Sequence, residues 1–139
     1  MSSIDLSTLI KTESAFNLQE ITTDTTTAGN IIDTAGCESL DFVFLAGTIT
    51  NGVFTPVIEY GDDPGLSDAT PVPNDFLIGT LADAVISGSA DSNSTRRIGY
   101  VGEKRYVRSI EVSSGTASGF VAAVAIKSAP RTAPTAVDA

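Results

Sequence analysis

Hydrophobic and polar positions alternate along much of this chain with the period of strands. Over residues 95–127, TRRIGYVGEKRYVRSIEVSSGTASGFVAAVAIK, the pattern predicts two or three consecutive strands. From Arg105 onward, Tyr106, Arg108, Ile110 and Val112 fall on one side and Arg105, Val107, Ser109 and Glu111 on the other, as in a half-buried strand. Residues 113–118, SSGTAS, have turn chemistry. Residues 119–126, GFVAAVAI, are apolar on both faces and mostly small, which predicts a strand in the middle of a sheet, covered on both sides.

A second strong pattern runs over residues 39–60. SLDFVFLAGTIT and VFTPVIEY flank Asn51-Gly52, the preferred dipeptide of a two-residue type I′ turn, which needs positive φ at both central positions. Pairing outward from that turn sets Ile49 against Phe54, Leu45 against Ile58 and Val43 against Tyr60 on an apolar face, with Thr50 facing Val53 and Thr48 facing Thr55 on the other. A hairpin is therefore expected. Pro56 cannot donate to a ladder and should mark an edge or a bulge.

The rest of the chain is less regular. Residues 1–14 hold Ile4, Leu6, Leu9 and Ile10 among polar residues, with Asp5 or Ser7 able to cap a short helical turn; they read either as an arm that docks on a partner or as an edge piece of the domain. Residues 15–21 predict a first strand, and the Thr-rich residues 22–30 a loop. Residues 61–73, GDDPGLSDATPVP, form an acidic loop. Residues 74–85 fit either a short helix, weakened by Gly79, or an irregular strand, and residues 87–94 fit a loop with a mobile tip. The Pro/Ala-rich residues 129–139 have no core residues and read as an extended tail. One domain over residues 15–128, between an arm and a tail, is the expected organisation. At 139 residues such a domain buries about two-thirds of its unfolded surface.

Composition narrows the chemistry. Hydrophobic residues make up 42% and charged ones 18%, with Thr, Ser, Val, Ala and Gly prominent, a profile of strands and turns. The start of the chain has neither the basic residues nor the apolar core of a signal peptide, and no apolar run is long enough to span a membrane, so the expected setting is the cytosol or particles assembled there. With no His, Ser-His-Asp and Cys-His triads are excluded, and the lone Cys37, expected to be a small buried hydrophobe, allows no intrachain disulfide. No phosphate-binding glycine motif occurs. An enzyme is not expected, nor a cofactor. Asp62, Asp63 and Asp68 are the acids a hard cation such as Ca²⁺ would use, but they lack the EF-hand order of ligands and its terminal Glu, and a solvated loop is the simpler reading.

The net charge of −9 is unevenly placed. Residues 1–95 carry fourteen acids against Lys11, whereas residues 96–139 carry seven bases against three acids. Arg96, Arg97, Lys104, Arg105 and Arg108 lie among Tyr100 and Tyr106, superficially like a single-strand nucleic-acid platform. The acidic remainder would repel a phosphate backbone, so these cations are expected to pair with Asp62, Asp63 or other acids of the fold or of a neighbouring subunit. Arg108, among apolar neighbours, should be partly buried and need a carboxylate or several carbonyls.

The run IGYVGEKRYVRSIEVSSGTASGFVAAVAIKSAPRTAP resembles the C-terminal half of small virion proteins of tailed bacteriophages, the head decoration or cement proteins. A strand hairpin, the acidic GDDPGLSDA loop and the PNDFLIG-like segment resemble the same group, so the likeness covers roughly residues 38–134. It implies a non-enzymatic protein on the capsid exterior that stabilises the head, with the major capsid protein as partner and a homo-oligomer, dimer or trimer, as its state. Direct nucleic-acid or membrane binding is not implied. A head–tail joining or tail component, or a carbohydrate- or cell-surface-binding module, are the alternatives. The expected fold is all-β, a sandwich or jelly-roll-like barrel of about 7–9 strands. Partner contacts are expected from Ile4, Leu6, Leu9 and Ile10 and from Arg96, Arg97, Lys104, Arg105 and Arg108.

Overall fold

The two longest alternating runs become the two longest strands, and they pair with each other. In a computed structural model, which describes residues 6, 7 and 9–130, the strands are β1 (Ile10–Ile21), β2 (Thr26–Ala28), β3 (Ile32–Asp33), β4 (Cys37–Gly61), β5 (Thr70–Pro71), β6 (Leu77–Ile78), β7 (Ile86–Ser87), β8 (Thr95–Tyr100) and β9 (Tyr106–Pro130). All pairings are antiparallel. Among the described residues they form one open sheet of nine strands in the order β1-β9-β4-β8-β6, with β2 and β3 added to β9, and β5 and β7 added to β4.

The expected hairpin over residues 39–60 is corrected by this topology. β4 does not fold back on itself; it runs through Asn51-Gly52 and pairs with β9 from Cys37 opposite Pro130 to Gly61 opposite Tyr106. A partner strand of equal length offers far more ladder and side-chain contact than a two-residue turn closing a short hairpin, so tertiary pairing overrides the local signal. The dipeptide still marks an abrupt change of direction. Register shifts fall between Ala46 and Val53, Gly52 has φ 92°, and the Asn51 amide donates to the carbonyls of Gly115 and Thr116, each at 3.2 Å. Opposite it, Gly115 and Thr116 also have positive φ, so both strands bend at one level.

That bend divides the sheet into two halves. The first contains β1, the C-terminal part of β9, the N-terminal part of β4, β8 and β6; the second contains β2, β3, the remainder of β9 and β4, β5 and β7. Phe16, Phe42, Phe44 and Ile98 of the first half and Phe54, Ile58 and Val107 of the second belong to one buried cluster. The fold is therefore all-β, a sandwich made from one folded sheet, and each fully buried Phe contributes about 1.5–3 kcal/mol.

Bulged backbone leaves polar groups without ladder partners, and residues 88–94 supply them. Ser92 Oγ accepts from Ile49 N at 2.9 Å, Asn93 N donates to Gly47 O at 2.9 Å, and Gly88 N donates to Gly52 O at 2.9 Å. The segment read as a loop with a mobile tip is thus fastened to the bend of β4. Residues 74–85 combine both sequence readings: 3-10 turns at Asn74–Phe76 and Leu81–Ala84 flank the short β6, and Thr80 Oγ1 caps the second by accepting from Asp83 N. Pro56 lies where β4 has no strand beside it opposite β9, between the residues paired to β7 and those paired to β5, as its missing N–H requires.

At the N-terminal end, β1 begins at Ile10, so residues 10–14 of the predicted arm are an edge strand on β9. Leu6 and Leu9 are exposed; Ile4 and residues 131–139 lie outside the described residues. Two faces also differ from expectation. On the N-terminal half of β9 the core side carries Val107, Ser109, Glu111 and Ser113, all buried, while on the other side Tyr106, Arg108 and Val112 are half-buried and Ile110 is 9% exposed. Residues 119–126 do occupy the middle of the sheet, between β1 and β4, but only their Val121, Ala123 and Ala125 side is covered. Their outer side, with Phe120 42% exposed, has no layer over it among the described residues.

Candidate functional site

The acidic loop is built by its own carboxylates. Asp68 accepts from the backbone N–H groups of Asp62 and Asp63 at 2.9 and 3.2 Å, which lowers its pKa. Asp63 Oδ2 accepts from Gly65 N and Ser67 N, and Asp62 pairs with Lys104 at 2.9 Å. Asp62, Asp63 and Asp68 are brought together, but to fix a turn. Among the described residues no group of three or more His, Cys, Asp or Glu is placed to hold a metal ion.

The basic cluster is distributed over the surface in separate pairs. Arg96 meets Asp91 at 3.2 Å, Arg105 grips Asp33 through Nε and Nη2 at 2.8 and 2.9 Å, and Arg108 Nε donates to Glu59 at 3.1 Å. The Arg105 hydrogen bonds hold Asp33 down at about 2. Tyr100 is buried, its hydroxyl donates to Lys104 O, and burial pushes its pKa up to about 12. Tyr60 stacks edge-on against it at 6.3 Å with Lys104 Nζ 6.0 Å from the Tyr60 ring. These aromatics serve the packing of one end of the sandwich, not an open stacking platform. Arg97 alone of the five cations is exposed without an ion pair among the described residues.

Arg108 is placed as its surroundings in sequence required, half-buried beside a carboxylate. Its side chain is 25% exposed and that of Glu59 20%, so water still screens the pair. We expect Arg108→Met to cost about 1–2 kcal/mol, and Arg108→Met/Glu59→Gln to cost less than the sum of the single changes. Strictly additive losses in denaturant titrations would remove this pair from the account.

Residues that sequence reading passed over form two further features. In the core, Ser109 Oγ has no hydrogen-bond partner and Glu111 is only 4% exposed; burial raises the Glu111 pKa to about 8. Its neighbours across the sheet are Thr27 and Pro56. Alternation did show that Glu111 shares a side with Val107 and Ser109, but not that this side faces inward. Cys37 is half-buried and lines a small surface hollow with Thr34, Glu38 and Tyr100, in place of the buried position expected.

The second feature is the outer face of the first half of the sheet. Phe120, Ala122, Val124 and Ile126 of β9 and Val43 and Leu45 of β4 make an apolar stripe two strands wide. Phe120 lies over Gly47, where a Cβ would come within 3.1 Å of the Phe120 Cβ. Polar residues flank the stripe: Thr12, Ser14 and Glu20 on β1, Asp41 beside Ile126 on β4, and Thr95 and Arg97 on β8. An exposed apolar stripe with a polar rim is suited to binding another surface.

No protein-family model matches the chain, and no curated protein matches it in sequence. Among solved structures, the SPBc2 prophage-derived protein YomS is similar in fold, with TM-score 0.51 and 15% identity over 85% of this chain and 91% of that one. A chain of infectious bursal disease virus, Gx strain, aligns with TM-score 0.49 and 13% identity over 85% of this chain and 31% of its own. A Bacillus endospore appendage protein, of a family of disulfide-linked pili, gives TM-score 0.42 and 13% identity over 86% and 88%. At such identities the likeness to YomS is one of fold.

Proposed function

We propose that this chain is a non-catalytic structural protein of a tailed-phage virion, which binds the outside of the assembled head through the major capsid protein and stabilises it. The observation that carries the reading is the fold shared with a prophage-derived protein over nearly all of both chains. The resemblance of residues 38–134 to head decoration proteins supports it from the sequence side. So does the use of the acidic loop and most of the basic cluster in internal pairs, which leaves surfaces, not reactive groups, as what the molecule offers. Many identical copies on a lattice act together, so single contacts can be weak and still hold through effective concentration.

The test compares particles with and without the protein for release of DNA on heating or chelation. Decoration predicts that particles lacking it are complete but release DNA more readily, and that adding the purified protein restores them. Full heads without tails would instead assign a joining role. Equally robust, fully tailed particles would overturn both virion roles, and a glycan screen with clear hits would then favour a cell-surface-binding module.

A further inference from the structure

The outer face described above is self-complementary, and its geometry follows from the register. Rows across the strands read Ser14, Val124, Val43, Arg97 and, two residues along β9, Ala122, Leu45, Thr95; two further along, Glu20 lies beside Phe120. Directly paired residues point to the same side, so Arg97, Glu20 and the stripe share this face. Arg97 and Glu20 are both exposed, and neither has an ion pair among the described residues. They stand at opposite rims, three strands apart and four residues along, about 14 Å in each direction. The midpoint between them falls on the row of Ala122 and Leu45, in the middle of the apolar stripe.

We infer that this face pairs with the same face of a second copy of the chain, about a two-fold axis that lies in the interface and passes between Ala122 and Leu45. A half turn about that axis exchanges the two rim positions, so Arg97 of each copy meets Glu20 of the other and the contact forms twice. The two stripes then cross at Ala122 and Leu45, Phe120 of each copy lies against β8 of the other between Thr95 and Arg97, and the strands of the two sheets cross at roughly a right angle, one of the two ways in which sheets pack. An unrelated partner would need its own match to a cation and an anion at opposite rims; a second copy supplies both by symmetry. The pairing is independent of the proposed binding to phage heads.

Sedimentation equilibrium of the full chain over a range of concentrations reads the pairing directly. The wild type is expected to dimerise, and Phe120→Asp to be monomeric with an unchanged circular dichroism spectrum. Arg97→Glu and Glu20→Arg should each weaken the dimer roughly tenfold or more, and the double variant Arg97→Glu/Glu20→Arg should recover most of the loss. This exchange decides the matter even if Phe120→Asp fails to fold, because both charges are at the surface. A wild type that stays monomeric at every concentration overturns the inference, as does a double variant no tighter than the single ones. A monomer that binds heads through Phe120 would also overturn it, assigning the face to the capsid protein.

Discussion

Raising the pH from about 5 to about 9 is expected to lower the stability of this fold by about 4 kcal/mol, and Glu111→Gln to remove most of that loss. The cause is burial. The Glu111 carboxyl lies on the core side of β9, between Thr27 and Pro56 across the sheet, and no charged group offsets its desolvation. Its folded-state pKa of about 8 stands above the ordinary 4.5, so the folded chain binds more protons than the unfolded one between those values. Stability is therefore fully present below about pH 4.5 and falls as pH rises through about 8. Asp33, near 2, and Tyr100, near 12, titrate outside this window. Urea unfolding of both proteins at the two pH values measures the effect. An equal decline in Glu111→Gln would mean that another group is responsible.

Gly52→Ala is expected to cost about 3–5 kcal/mol, although Gly52 is not in a hairpin turn. Two penalties add. At φ 92° any side chain is strained, and a Cβ there would lie 2.5 Å from Ala117 Cα and 2.8 Å from Ser114 O, both backbone atoms of β9. Gly36 separates the terms, because it has φ 85° with nothing within 4 Å of its would-be Cβ. Gly36→Ala should thus show the strain alone, about 1 kcal/mol. Thermal unfolding of the two variants compares them directly. If Gly52→Ala were no worse than Gly36→Ala, the close crossing of β4 and β9 at the bend would be wrong.

The all-β class, a strand over residues 15–21 and the central place of residues 119–126 were legible because they rest on local alternation and composition, although the strand itself begins earlier, at Ile10. Pairing was not. Asn51-Gly52 carries a local preference for a turn, whereas the competing partner, residues 106–130, lies far along the chain and leaves no mark on residues 39–60. The ion pairs were legible as a class, since cations in an acidic chain readily meet acids, and Arg96, Lys104, Arg105 and Arg108 do so while Arg97 does not among the described residues. Glu111 was hidden for a simple reason: period-2 alternation defines two sides of a strand without saying which is inside. The set containing Tyr106, Ile110 and Val112 looked the more apolar, yet Val107, Ser109 and Glu111 face the core. Residues 119–126 were expected to be covered on both sides, but only the side of Val121, Ala123 and Ala125 is covered within the described residues; an apolar run shows that a strand is central without showing that both of its faces are buried.

The place of β9 also governs how such a chain reaches its folded state during synthesis. β1, β2 and β3 pair only with β9, and β4 meets it along its whole length, so among the described strands the one in the centre of the sheet comes last in the sequence. Until residues 106–130 have left the ribosome, the first three strands have no neighbour to pair with. Closing a ladder over such separations is entropically slow, so β1, β2 and β3 join the sheet late, whereas β4, β5, β6, β7 and β8 can pair with one another first. Among the described strands, the one that joins the two halves of the sheet is thus also the one that the first three must wait for.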